Sequence, residues 1–183
     1  MPGGNAEMKT KPSSEYALLG ALMPGAKHGY EILKFLEESL SDFWSISSSQ
    51  LYLLLKKLES RGLVASAVQS QESRPSKRMF SLTDAGRQEF LEWVQSPVKH
   101  VRDLRIEFLA KLFFYEYLAL PDGSALLKAQ QDILTGARER IEGKQDREAD
   151  RFQQTMLDFK LRTLDAWIGW LDGPAVSFIE EIS

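Results

Sequence analysis

Between Ser47 and Arg87 the sequence gathers groups suited to binding an anionic, hydrogen-bonding surface rather than to making bonds. Seven bases (Lys56, Lys57, Arg61, Arg74, Lys77, Arg78 and Arg87) stand there against three acids (Glu59, Glu72 and Asp84), a surplus of four in a 183-residue chain whose net charge is −3. Of these, Lys56, Lys57, Arg74, Lys77 and Arg78 are the candidates to neutralise phosphates and release counterions, which supplies affinity without reading sequence. Reading base edges needs other groups in the same place. Gln50 has the paired donor and acceptor that match adenine, and an outward Leu53 meets a thymine methyl. Ser48, Ser49 and the Tyr52 hydroxyl are further donors to phosphate or base. From Pro97 onward the balance is twelve bases to fifteen acids, so that half is a poor electrostatic partner for phosphate.

Catalytic constellations do not emerge. The chain has no cysteine and two histidines, His28 and His100, neither with acids at metal-ligand spacing. Ser47-Ser48-Ser49 lacks the glycines of a nucleophile elbow, and neither a phosphate-binding loop nor a dinucleotide glycine fingerprint occurs. The expectation is a binding protein rather than an enzyme, with no cofactor and no metal. No apolar run is long enough for a membrane span, no secretory signal is visible, and cytoplasmic residence is expected.

The elements that must position these residues follow from periodicity. Residues 1–12 form a Gly-, Pro- and Lys-containing tail. Ser13 or Ser14 caps a first helix through Leu18, Leu19 and Leu22, ended by Pro24-Gly25. A second helix spans about His28 to Leu40, with Tyr30, Ile32, Leu33, Leu36 and Leu40 on its apolar side. A third starts at Ser47 or Ser48, and Leu51, Leu54, Leu55 and Leu58 fall within about 100° of arc, the width of a core-facing stripe. That stripe turns Ser49, Leu53, Lys56 and Lys57 outward. Gly62 ends the helix. Leu63 to Gln71 and Lys77 to Leu82 alternate as two strands around Glu72-Ser73-Arg74-Pro75-Ser76, and Thr83 caps a fourth helix that breaks at Ser96-Pro97. Three helices, the last with an exposed basic face, followed by a hairpin with a basic tip, make a winged helix-turn-helix over residues 13–96.

Several segments here resemble the PadR family of regulators. His28-Gly29-Tyr30-Glu31-Ile32, the run Ser49 to Glu59 with Gly62-Leu63-Val64, and Arg78 to Arg87 are similar to its second helix, recognition helix, first wing strand and closing strand. The chain departs at Leu53, where the family usually has proline, and in a wing tip poorer in glycine. Arg105 to Phe114 resembles the virulence-activator-like subgroup, which has a helical C-terminal dimerisation domain. The resemblance implies a mostly α fold with a small β-hairpin wing, a winged helix-turn-helix plus a helical dimerisation domain over residues 97–183. It also implies a homodimer on double-stranded DNA at an inverted repeat, with repression favoured over activation.

The second half reads as helical throughout. Arg102 to Leu120 is apolar nearly all round, a helix after Pro121-Asp122 passes Gly136 and Gly143 into a charged stretch, and a last helix runs from about Asp150 to Leu171. This last helix carries two stripes: Phe152, Met156, Phe159, Thr163 and Trp170 with Trp167 on the flank, and Leu157, Leu161, Leu164, Ile168 and Leu171. One protomer covers one stripe, so the first is assigned to a dimer seam. Phe113, Tyr117, Trp167 and Trp170 offer more aromatic surface than a seam requires, and with the family's sensing of small molecules they imply a small planar aromatic effector there. Other roles compete. Lys56 and Lys57 can be a solvated face, Tyr52 a rim of the core, the tryptophans ordinary packing, and the whole first half a protein-interaction module without DNA.

Overall fold

The computed structural model describes residues 12–71, 74–145 and 150–182, with side chains for all of these except 12, 13, 69–71 and 74–77. The chain divides into two compact units, one ending at Trp93 and the other beginning at Val94.

The first unit runs α1 (Pro12–Leu22), β1 (Lys27–His28), α2 (Gly29–Leu40), α3 (Ser48–Ser60), β2 (Val64–Gln71), β3 (Arg74–Leu82) and α4 (Asp84–Gln95), whose end enters the second unit. Helix α1 already contains Ser13 and Ser14, so neither serine caps it as expected. Ser14 has another task, accepting the Trp44 indole N–H at 3.3 Å. The sheet has three strands, not the two expected: Lys27 and His28 pair antiparallel with Phe80 and Met79, so the order is β1-β3-β2. A two-residue strand is too short for alternation to betray it in sequence.

The core of this unit lies under α1, α2 and α3. Leu18, Leu19, Ile32, Leu36, Leu51 and Leu58 are fully buried, and Trp93 stacks on Tyr16 at 4.8 Å, which makes that tryptophan interior packing. Gly86 is obligatory at the start of α4: a Cβ there would lie 2.0 Å from the Leu63 carbonyl oxygen. Thr83 caps α4 as expected, its hydroxyl accepting from Gly86 N–H at 3.1 Å while donating to the Gly62 carbonyl at 2.7 Å. Gly62 itself has φ +72°, a left-handed conformation that ends α3 at little steric cost.

The second unit contains a 3₁₀ turn (Val101–Asp103), a π-helical turn (Leu104–Phe108), α5 (Leu109–Tyr117), α6 (Gly123–Gln145), α7 (Arg151–Trp170), a second π turn (Leu171–Ala175) and α8 (Val176–Ile182). Helix α6 continues through Gly136 and Gly143 to Gln145, because packing on α7 outweighs the roughly 1 kcal/mol that each glycine costs. Arg138 ties the two helices, bonding Asp165 at 2.7 Å. Asp150 caps α7, accepting from Gln153 N–H at 2.8 Å, and beyond Leu171 the chain stays helical past Pro174 by way of the π turn.

Among the described residues of this unit, Gln130 and Lys111 are the polar or charged side chains that are buried. Gln130 makes a pair of bonds to the backbone of Val98, 2.6 Å to its N–H and 3.0 Å to its carbonyl. Lys111, fully buried, donates to the Ser96 carbonyl at 2.5 Å and pairs with Glu107 at 3.3 Å. Burial pushes this ammonium down to about 8, against the partial support of Glu107.

Candidate nucleic-acid interface

Helix α3 is launched by a reciprocal capping box. The Ser47 hydroxyl accepts from Gln50 N–H at 3.3 Å, and the Gln50 side-chain oxygen accepts from Ser47 N–H at 3.1 Å. With its start fixed, the 3.6-residue period does the sorting. Leu51, Leu54, Leu55 and Leu58 are buried, while Ser48, Ser49, Gln50, Tyr52, Leu53 and Lys56 face solvent, Leu53 being 52% exposed. A leucine half exposed on an otherwise polar helix face is the kind of group that meets a thymine methyl. Gln50 is both exposed and employed: with its oxygen held in the box, its NH₂ is what remains for a base edge.

The cations divide sharply. Lys57 reaches back to α1, bonding Glu15 at 2.6 Å, and Arg61 bonds the other oxygen of Glu15 at 2.7 Å and Glu89 at 2.7 Å. Arg78 grips Glu59 with Nη2 at 2.7 and 2.9 Å, donates from Nε to Ser66 at 2.9 Å and lies 5.3 Å over the Phe80 ring. Arg87 reaches the Met23 carbonyl at 3.4 Å. Lys56 is exposed and has no acidic partner among the described residues. The tip residues Glu72 and Ser73, and the side chains of Arg74 and Lys77, lie outside the described residues.

A second set of groups joins this face. Tyr30, expected on the apolar side of α2, is 71% exposed. The reason is visible in spacing: Ile32, Leu36 and Leu40 recur every four residues, and Tyr30 lies two residues off that stripe, on the opposite side of the helix. Tyr30, Lys34 and Tyr52 line a cleft of about 490 Å³ with His28, Gly29 and Phe80. A Cβ at Gly29 would come 2.6 Å from the Tyr52 hydroxyl oxygen, so any larger residue there would have to push the exposed tyrosine ring aside. Tyr52 therefore lies across the start of α2, with its ring 51% exposed.

In the second unit α7 presents its two stripes unequally. Leu164 and Leu171 are buried and Leu157, Leu161 and Ile168 half-buried, whereas Phe152 and Phe159 are each 67% exposed and Met156 38%. Beside them a groove of about 620 Å³ is lined by Leu109, Phe159, Arg162, Thr163, Trp167 and Trp170. The two tryptophans meet edge-on at 5.6 Å. Phe113 and Tyr117 stack on each other at 5.6 Å along α5 and do not line this groove, so the four aromatics grouped from sequence form two separate pairs.

Residues 18–92 match the transcriptional regulator PadR-like family, and residues 104–173 match the virulence activator alpha C-term family. Residues 18–92 are thus similar to the PadR-like family as a domain, and the C-terminal match follows it in the same chain. Its relatives include the negative transcriptional regulator PadR of Bacillus subtilis, 35% identical over 63% of this chain and 64% of that protein. A probable transcriptional regulator of Mycobacterium tuberculosis is 30% identical over 48% of this chain and 46% of that protein. The chain thus spans less than two thirds of the length of either curated relative it matches. Among solved structures, B. subtilis PadR in complex with operator DNA aligns with 92% of this chain and 98% of that one at 25% identity and a TM-score of 0.48. Among the described residues no helix is long and apolar enough to cross a membrane.

Proposed function

We propose that this PadR-like chain regulates transcription as a homodimer bound to an inverted repeat in duplex DNA, with α3 in the major groove and the β2–β3 wing along the backbone. The observation that carries this is the outward face of α3: six consecutive-turn residues, polar or thymine-compatible, held rigidly by a buried leucine stripe beside a wing. Ser48, Ser49, Gln50, Tyr52 and Leu53 read or brace the groove, and Lys56 with Lys77 and Arg74 neutralises phosphate. The relationship to a negative regulator favours repression, and work on chromosomal DNA implies cytoplasmic residence. Domain limits follow the same reading, with DNA binding in residues 13–96 and dimerisation through Phe152, Met156, Phe159, Trp167 and Trp170 in 97–183.

Fluorescence anisotropy with the gene's own upstream DNA, against a scrambled duplex, tests the reading across a salt series. Specific binding at a two-fold site, weakening linearly in log salt, is the expected result. Absence of binding to any duplex at low salt would instead favour a winged-helix protein-interaction module.

The groove beside Trp167 and Trp170 supports a second element, a planar aromatic effector seated against the indoles. To regulate, such a ligand must bind the DNA-competent and incompetent states unequally, about 1.4 kcal/mol for each tenfold change in operator affinity. Tryptophan fluorescence titration with aromatic acids and planar dyes, with and without DNA, measures that difference. A midpoint indifferent to DNA removes the regulatory role.

A further inference from the structure

Glu59 occupies an electrostatically poor position. It lies in the last turn of α3, where the helix dipole and the free carbonyls disfavour an anion. Cross-element contacts offset this. Its Oε1 accepts from the Ser66 hydroxyl on β2 at 2.5 Å, and both its oxygens accept from Arg78 on β3. Arg78 completes the triangle by donating from Nε to the same Ser66 hydroxyl. These bonds hold the Glu59 carboxyl below its ordinary range, the Ser66 hydroxyl acting most strongly and the Arg78 guanidinium next.

The place of this triangle on the hairpin matters. At the wing's base the strands are already tied, through Thr83 N–H to the Leu63 carbonyl and Val64 opposite Leu82. Ser66 is opposite Phe80 and Val68 opposite Arg78, two and four residue pairs further out, and the strands then shift register between Gln69 and Gln71. Among the described side chains, the Glu59 triangle is the outermost tie between the recognition helix and the wing. Three of the five N–H donors of Arg78 are spent on it, and its flat face lies on Phe80.

We infer that Glu59, Ser66 and Arg78 form a latch that sets the angle of the wing against α3, so that Glu59 is a positioning residue for DNA binding and Arg78 acts mainly through the latch rather than as a phosphate ligand. The inference rests on the DNA-binding reading above for its consequence, and on the hydrogen-bond geometry alone for its existence.

The decisive comparison in the full-length protein is Glu59→Gln against Arg78→Gln and the double variant, with duplex affinity measured across a salt series. A latch predicts that each single change weakens binding about tenfold, the scale of one charge-assisted hydrogen bond. The double change should be no worse than either single one, and the slope of log affinity on log salt should stay at its parental value. If Arg78 is instead a phosphate ligand that Glu59 holds back, Glu59→Gln tightens binding and Arg78→Gln flattens the slope by about one phosphate contact; either result overturns the latch. Amide hydrogen exchange keeps the two readings apart, because it needs no DNA. Glu59→Gln and the milder Ser66→Ala should both accelerate exchange across residues 64–82 while leaving α6 and α7 unchanged. Parental exchange in both variants would refute the latch even if DNA binds, and accelerated exchange would sustain it even if no duplex does.

Discussion

Helices α3 and α7 are built alike and finished differently. Each buries one leucine-rich stripe against its own unit, and each leaves the opposite face open. On α3 the open face carries serine, glutamine, tyrosine and lysine with a single leucine. On α7 it carries Phe152, Met156 and Phe159, two of them two-thirds exposed. A polar face is at ease in water and can wait for a partner that comes and goes. An apolar face loses about 25 cal/mol for each Å² left wet, and a contiguous one marks a surface meant to be covered for long periods. The contrast teaches that the same amphipathic design ends in a polar surface in one unit and an apolar one in the other, the choice being made by the outward residues alone; under the proposed function the first suits a reversible contact and the second a lasting one.

The strongest way to break this contrast is to charge the α7 face. Phe152→Asp with Phe159→Asp should convert the dimer to monomer in light scattering and lower operator affinity by roughly two orders of magnitude or more, because two half-sites no longer bind as one. An unchanged mass would move the seam elsewhere, and with it the reason for the exposed phenylalanines.

Next in size is the support beneath α3. Gly86→Ala sets a methyl group 2.0 Å from the Leu63 carbonyl oxygen. Backbone must shift there, and a loss of about 3 kcal/mol or more in the first unit is expected from urea unfolding followed by the Trp93 signal. Retention of parental stability would mean that the α4–β2 junction is looser than its geometry.

The two units also differ in their buried charges. Glu15 in the first is neutralised by Lys57 and Arg61 together, whereas Lys111 in the second is a buried base whose ammonium is depressed to about 8. An unfolded lysine keeps its proton to about 10.4. Between those values the unfolded chain binds more protons than the folded one, so this group raises stability as pH climbs from about 8 toward 10, and its cost is fully present below 8. The expected gain is a few kcal/mol at most. Urea melts of the parent and Lys111→Met at intervals from pH 7 to 10 isolate it: the parent should gain on the variant through that window, and parallel curves would show that Lys111 does not titrate there.

The smallest effect sharpens α3 itself. Ser47→Ala removes one arm of the capping box and should lower stability by about 1 kcal/mol. Its consequence for DNA should exceed that figure if Gln50, released from the box, changes which bases it prefers. Selection of bound sequences from a random duplex pool measures the preference directly, and an unchanged preference would assign Gln50 to capping alone.

Much of the candidate site was legible in one dimension. Leucines at 51, 54, 55 and 58 determine which way α3 turns, and that in turn exposes Ser48, Tyr52, Leu53 and Lys56. Ser47 and Thr83 announce their helices because a hydroxyl before an apolar period has a specific acceptor role. The four-residue step of Ile32, Leu36 and Leu40 even contains the exposure of Tyr30, which only a strict wheel separates from its neighbours.

Partnership between charges was not legible. Counting from Ser47 to Arg87 gives a surplus of four, yet Lys57 is neutralised by Glu15, 42 positions away, and Arg61 by Glu15 and by Glu89, 28 positions away. Local charge counts see residues near in sequence, whereas Coulomb attraction acts on distance in space. The same holds for Lys111, which stands in the nearly all-apolar run from Arg102 to Leu120 and whose burial against Ser96 follows from packing alone. Sequence periodicity therefore settled the inward leucine stripe of α3, because that depends only on a 3.6-residue repeat and the removal of apolar surface from water. Which cations remain free for a ligand, that Arg78 braces the wing, and that Phe113 and Tyr117 stand apart from the tryptophan groove depended on tertiary packing, which alone brings distant side chains within hydrogen-bonding reach.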